Sequence, residues 1–275
     1  RANLLRTSLT VLGIVIGISS IIIVFSAGEG IKSLILAQVE SFGTNIIETE
    51  TKIPSTKKGA AADTQSGAAM AQGVQVTTLT LDDMEDINNI PNVKRSYANI
   101  LSQDQASYEN ESKKVFLLGA SSAYVDIDKS EIDYGRFFTE AEDKSLAQVV
   151  VLGSKIKDKL FGDSDPIGKS VKLHSSKYVV IGVMKPRGAV MTMDFDDYVY
   201  VPIRTLQKKI MGINHVLYMV HELEDVSLAD DTAEEIKYIL RANHDISDPA
   251  KDDFRGTTMQ EMMSMLDTVS GALTL

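Results

Sequence analysis

The stretch best suited to chemistry is "GDSDPIGKS", residues 162–170, which approaches the phosphate-cradling pattern G-x-x-x-x-G-K-[ST]. In that loop the glycines let backbone N–H groups close on phosphate oxygens, while a lysine and a hydroxyl hold the outer phosphates and their magnesium. Here five residues, not four, separate Gly162 from Gly168. The context is also inverted: helix-like "KDKLF" precedes the stretch and strand-like "SVKLH" follows it, whereas a phosphate loop follows a strand and opens a helix. A turn punctuated by Asp, Pro and Gly is the better reading.

Other reactive groups are scattered. "MDFDDY" could offer the carboxylates of Asp194, Asp196 and Asp197 to a cation such as calcium, but it lacks the spaced ligands and closing glutamate of a recognised loop. A solvated acidic loop is the simpler reading. His174, His215, His221 and His244 have no HExxH or comparable ligand spacing. Cysteine is absent, which removes thiolate metal sites, disulfides and a thiol nucleophile. There is no GxSxG and no defensible carboxylate pair. The segment is therefore expected to be non-catalytic, with no cofactor or metal of its own.

What the sequence does specify is a set of elements. No charge lies between Arg6 and Glu29, and a helix over positions 7–28, at about 1.5 Å per residue, crosses a hydrocarbon core roughly 30 Å thick. A secretory signal has a shorter apolar region, about 7–15 residues. Arg1 and Arg6 flank the start, so the amino end is expected in the cytoplasm and the rest outside. Taking those two arginines from the net charge of −10 leaves −12 for the exported part. With no lysine or arginine cluster, that charge argues against nucleic acid as a partner. Membrane lipid is a partner through the span alone.

Gly13 and Gly17 stand four apart on one face of this helix, and Ser20 continues that face. Small residues so placed let another transmembrane helix approach closely. Beyond Gly28, Ile31, Leu34, Ile35, Val39 and Phe42 recur at helical spacing before a stop at Gly43. Near the other end Met259, Met262, Met263, Leu266 and Val269 form a similar stripe, with Thr258 and Glu261 resembling a capping box. The two amphipathic stretches are expected to pair as an antiparallel stalk, the second entering a further, truncated span.

Between them the pattern is α+β. "TNIIETE" reads as a strand and 52–75 as a loop rich in Ala, Gly, Ser and Lys. "LTLDDMEDI" reads as a short helix, and 93–121 as two strands around a turn at Asn110. A different texture begins near "YGRFFTEAED", with alternating short strands and helices, and a final helix over "SLADDTAEEIKYILRANH" is capped by Ser227. The expected organisation is a transmembrane helix over 1–28, a stalk helix over 29–43, a discontinuous subdomain from 44–129 and 206–257, an inserted subdomain at 130–205, and a second stalk helix over 258–275.

These residues resemble a family. "RTSLTVLGIVIGISSIIIVFSAGEG" is similar to the first span of the MacB-like, FtsX-type permeases of ABC transporters. "FGTNII", "YGRFFTEAED", "VVVLGSKIKDKLFGDSDPIGKSVKL", "YVVIGVM" and "VYVPIRTLQKKIMG" match the extracytoplasmic core of that family in order. The resemblance implies a four-span subunit that works as a homodimer with a second permease copy. It implies an ABC ATPase domain or subunit that carries the ATP and Mg, and it allows a periplasmic or extracellular adaptor protein. Closure of the dimer would be relayed along the stalk to the outer domain, driving efflux of drugs, peptides or other amphiphiles; lipoprotein release is another use of such permeases. The alternative is a single-pass, membrane-anchored binding or regulatory module, including one that controls a cell-wall enzyme, without transport. Three further apolar spans past Leu275 are expected on the first reading and none on the second.

Overall fold

In a computed structural model of the chain, one continuous helix, α1 (Leu4–Glu40), contains the span and runs past it. The structure describes residues 4–40, 45–53, 76–190 and 193–273; side chains at 4–7, 29, 31–40, 190, 266, 267 and 269–273 lie outside the described set. The segment Ser8–Gly28 has a mean hydropathy of 2.6 and is nowhere buried. It is apolar all round, and its described side chains are not buried, as in a helix that faces lipid. At about 1.5 Å per residue α1 is roughly 55 Å long, well beyond a hydrocarbon core of roughly 30 Å. The helical reading past Gly28 therefore holds for the backbone to Glu40, while the stop at Gly43 and the loop over 54–75 lie outside the described residues.

The chain divides into two units, residues 1–41 with 260–275, and residues 42–259. Within the second unit the strands are β1 (Ile46–Thr51), β2 (Val93–Tyr108), β3 (Glu111–Ala120), β4 (Ile132–Gly135), β5 (Val149–Leu152), β6 (Ser170–Leu173), β7 (Ser176–Met184), β8 (Ala189–Val190), β9 (Met193–Asp194), β10 (Tyr198–Pro202), β11 (Tyr218–Leu223) and β12 (Phe254–Thr258). The main sheet runs β12-β1-β11-β2-β3-β10-β5-β7-β4, with β6 bridging β2 and β7.

The long strand β2 explains this arrangement. It pairs with β11 from Val93 to Asn99 and with β3 from Asn99 to Tyr108. Past the end of β11, the freed edge at Ala106 and Ser107 is taken by β6. Pairing thus passes from β2 through β3, β10, β5, β7 and β6 back to β2, a closed ring that leaves those strands few bare edges. Alternate residues supply the ring's core, among them Val115, Leu117, Val150, Leu152, Val171 and Leu173, whereas Phe116 and Val179 face outward.

On the other half of the sheet, α2 (Leu81–Ile87) and α6 (Ala229–Asn243) pack beneath β12, β1, β11 and β2, burying Ile47, Ile87, Met219, Ile236, Leu240 and Phe254. Thr80 and Asp83 form a capping box at the start of α2. The cap expected from Ser227 is not formed: α6 starts after Leu228 without a side-chain cap, and Asp225 caps the turn ahead of it. Its carboxylate accepts from the Ser227 amide at 2.9 Å and hydroxyl at 2.7 Å, closing a 3-10 turn ahead of α6. Short helices α3 (Tyr124–Asp128), α4 (Glu140–Lys144) and α5 (Ser154–Phe161) dress the ring. The final helix, α7 (Met259–Leu273), follows β12 with no residue between them.

Candidate functional site

The chain enters the second unit at β1 and leaves it at β12, and these strands are neighbours. Ile47 stands opposite Thr258 and Thr51 opposite Phe254 in an antiparallel ladder. β1 and β12 are thus paired over Ile47–Thr51 and Phe254–Thr258. Within β1, Glu48 is half-buried, and burial, with Glu50 adding, raises its carboxyl to about 7 against the opposing pull of Arg255.

The turn before β12 is gripped from α6. Arg241 donates through Nε and Nη2 to the two oxygens of Asp252 at 2.9 and 2.7 Å, a bidentate pair. His244 has Nδ1 at 2.8 Å from Asp253 and Nε2 at 3.5 Å from Asp83 on α2. Hydrogen bonds to these two carboxylates raise His244 to about 9, overriding burial. Burial alone would lift Asp83, but bonds from His244, Asn243 and Thr80 together bring it to about 2.

This triad has a pH signature. The folded pKa of His244 is raised, so its contribution is complete below about 6.5 and is lost as pH rises through 9. That of Asp83 is depressed, so its contribution is complete above about 3.8 and is lost as pH falls through 2. Chemical denaturation should show the chain losing about 2 kcal/mol between pH 6.5 and 9, the worth of a charged hydrogen bond. A His244→Gln chain should keep only the shallow part that Glu48 contributes near pH 7; an identical slope in the variant would exclude the triad as its source.

The acidic loop resolves into separate partnerships. Asp194 pairs with Lys155 and accepts from the Asp196 amide at 3.1 Å. Asp196 accepts from the amides of Arg187 and Gly188 at 2.8 and 3.0 Å, and Asp197 pairs with Lys113. The Arg187 guanidinium reaches the buried Asp128 at 2.5 Å and lies 4.8 Å from the centre of the Phe195 ring. Next to this pair an aromatic array runs from Tyr97 through Tyr124, Tyr200 and Tyr198 to Phe116, with neighbouring ring centres 5.2–6.4 Å apart. Its end opens into a cleft lined by Leu101, Gln103, Phe116, Met193, Asp194 and Tyr198.

The stretch 162–170 is a turn between α5 and β6. Gly162 and Gly168 take positive φ, and the Asp165 carboxylate accepts from the Ile167 amide at 3.0 Å. The histidines serve different places. His174 is exposed, His215 bridges to Thr80 through its backbone, and His221 is fully buried with Nδ1 2.7 Å from the Ser96 hydroxyl, its pKa pushed down to about 3 by burial.

Gly13 and Gly17 have open space where a Cβ would stand, and Ser20 donates to the Ile16 carbonyl at 2.8 Å. Ile31, Leu34, Ile35 and Val39 lie on α1, but their side chains, with those of Leu266 and Val269, are outside the described set, as is Phe42 entirely. Met259 is buried and Met262 and Met263 half-buried. Sequence reading did not find the Arg241–Asp252 and His244–Asp253 contacts. Their only local trace was "DPAKDD", an acidic turn just after a helix ending in Arg and His.

The macrolide export ATP-binding/permease protein MacB of Wolinella succinogenes is 29% identical over 276 residues, covering 100% of this chain and 40% of that protein. The pyoverdine export ATP-binding/permease protein PvdT of Pseudomonas savastanoi pv. phaseolicola is 28% identical over 275 residues, covering 99% and 39%. The chain thus spans about two fifths of the length of these curated relatives. Among solved structures, the periplasmic region of MacB from Actinobacillus actinomycetemcomitans superposes with a TM-score of 0.67 at 20% identity, over 83% of this chain and 95% of that one, a likeness of fold. The description of the MacB-like periplasmic core domain matches residues 7–239, and the chain belongs to that family.

Proposed function

We propose that the chain is the first membrane span, the stalk and the outer domain of the permease of an ABC-type exporter. On this reading the amino end is cytoplasmic and residues after Gly28 lie beyond the membrane. ATP is hydrolysed by a cytoplasmic domain or subunit, and two permease copies close together. Their motion travels through α1 and α7 to the outer domain, which expels amphiphilic cargo already outside. The relatives' names, macrolide and pyoverdine export, support export in general, and the apolar cleft at Phe116 and Met193 supports an amphiphilic cargo.

The observation that carries the reading is the β1–β12 ladder, because it joins the continuations of the two terminal helices within one sheet. Any relative displacement of those helices must act on that ladder. The division at residues 130 and 205 belongs to the same proposal. Strands β1, β2, β3, β11 and β12 come from the flanking segments, and β4, β5, β6, β7 and β10 from the inserted one.

The test is made in proteoliposomes with the native-length permease and its ATPase. Leu34→Asp and Leu266→Asp should each cut export of an amphiphilic dye by about tenfold, within the usual range of coupling between sites, while ATP hydrolysis persists. Normal export by both variants would sink the stalk.

A further inference from the structure

A five-residue edge strand is a poor place to attach a moving helix, because a ladder on one side can peel away one hydrogen bond after another. Yet β12 is five residues long, its paired neighbour among the described strands is β1 alone, and α7 continues it directly. The structure supplies a second attachment at the opposite end of β12, in the turn 248–253.

Three independent contacts hold that turn. Arg241 grips Asp252 in bidentate fashion at 2.9 and 2.7 Å. His244 reaches Asp253 at 2.8 Å and, through its other nitrogen, Asp83 on α2 at 3.5 Å. The Lys52 amide donates to the Asp253 carbonyl at 2.7 Å, tying the turn to the residue just past β1. Asn243 adds bonds of 2.9 Å to Asp83 and to Asp86. The His244 and Asp83 side chains are only 7% and 5% exposed, so water competes little for these bonds. Phe254, the first residue of β12, is buried with its ring edge-on to His244 at 5.9 Å.

We propose that Arg241, His244, Asp83, Asp252 and Asp253 form a latch that makes β12, α6 and α2 one mechanical body. Through it, a displacement of α7 reaches the helical layer instead of peeling the edge strand. Its role in transport rests on the exporter reading, but the linkage itself belongs to the resting chain and is measured there. Both basic residues sit at the carboxyl end of α6, where the helix dipole also favours a cation. Bidentate and buried contacts resist sliding as well as separation, which ladder bonds at an exposed edge do not.

The experiment is native-state hydrogen exchange, read by mass spectrometry on the full chain in phospholipid nanodiscs across low denaturant. Amides of 254–258 and of the end of α6, 236–246, should exchange through one shared opening, with equal free energy and denaturant slope. In an Arg241→Gln, His244→Gln chain β12 should exchange at least about tenfold faster than in the parent, with α6, β5 and β7 unchanged. If that double variant loses protection in β5 and β7, the milder Asp252→Asn chain is judged by the same comparison. Independent opening of β12 in the parent overturns the latch, as does a variant whose β12 keeps the parent's protection. Failure of export in proteoliposomes bears on the exporter reading and leaves this measurement intact.

Discussion

Gly182→Ala should lower the stability of the outer domain by about 3 kcal/mol, the upper end for forcing atoms into a packed site. Gly182 on β7 stands opposite Gly135 on β4, where the two strands come unusually close. A Cβ at 182 would fall on the Arg136 carbonyl oxygen, with the Arg136 carbonyl carbon and amide nitrogen both 3.1 Å away. All three are backbone atoms, so no side chain can swing aside. Gly135 has φ +81°, and a Cβ there would sit 2.7 Å from the Gly182 Cα, so the opposing strand cannot give way either. For a unit of this size the loss corresponds to a fall in Tm of about 6–12 °C. Gly256→Ala in β12 is the matched control: nothing lies within 4 Å of its Cβ, and it should change stability by no more than about 0.5 kcal/mol. Equal melting of the two variants would refute the close approach of β4 and β7.

Arg187→Leu should cost about 3–5 kcal/mol, because it strands a buried carboxylate. The Asp128 side chain is 2% exposed and has Arg187 and Ser130 as partners. Even with them, burial holds the Asp128 carboxyl above its ordinary value of 3.8. Without the guanidinium the folded pKa must climb further, since the chief opposing charge is gone. A raised folded pKa means that protonation favours the folded state, so the deficit should be largest at pH 8 and shrink as pH falls toward 4. Adding Asp128→Asn should recover at least half of the loss, because a neutral amide is far cheaper to bury than a charge. A deficit that does not vary with pH would point to lost packing on Phe195 as the cause.

Much of the secondary structure was legible in local pattern. The hairpin β2–β3 turns at Glu109 and Asn110, where polar residues interrupt two apolar runs. The "GDSDPIGKS" stretch turns where Asp, Pro and Gly said it should. Ser227 failed as a cap because Asp225, two residues earlier, draws it into a 3-10 turn by accepting from its amide and hydroxyl, so the helix starts after Leu228 instead. A polar residue ahead of a helix can itself be bound into the preceding turn, and composition alone does not say which of two neighbours starts the helix.

Local residue patterns sufficed for the uncharged span, its continuation as a helix and most strands and helices, and the order of several such patterns along the chain sufficed for membership of a permease family. The elements are carried by residues within a few positions of one another, where periodicity and end signals operate. It took the folded chain to place β12 beside β1 across some 200 residues, to close a ring with β6 on the edge β11 vacates, and to bring Arg187 to Asp128 and His244 between Asp83 and Asp253. Strand alternation says which face a residue takes, not which strand lies beside it. A charge acquires its partner only when distant segments are packed together, and for that reason the latch and the buried ion pair could not be read along the chain.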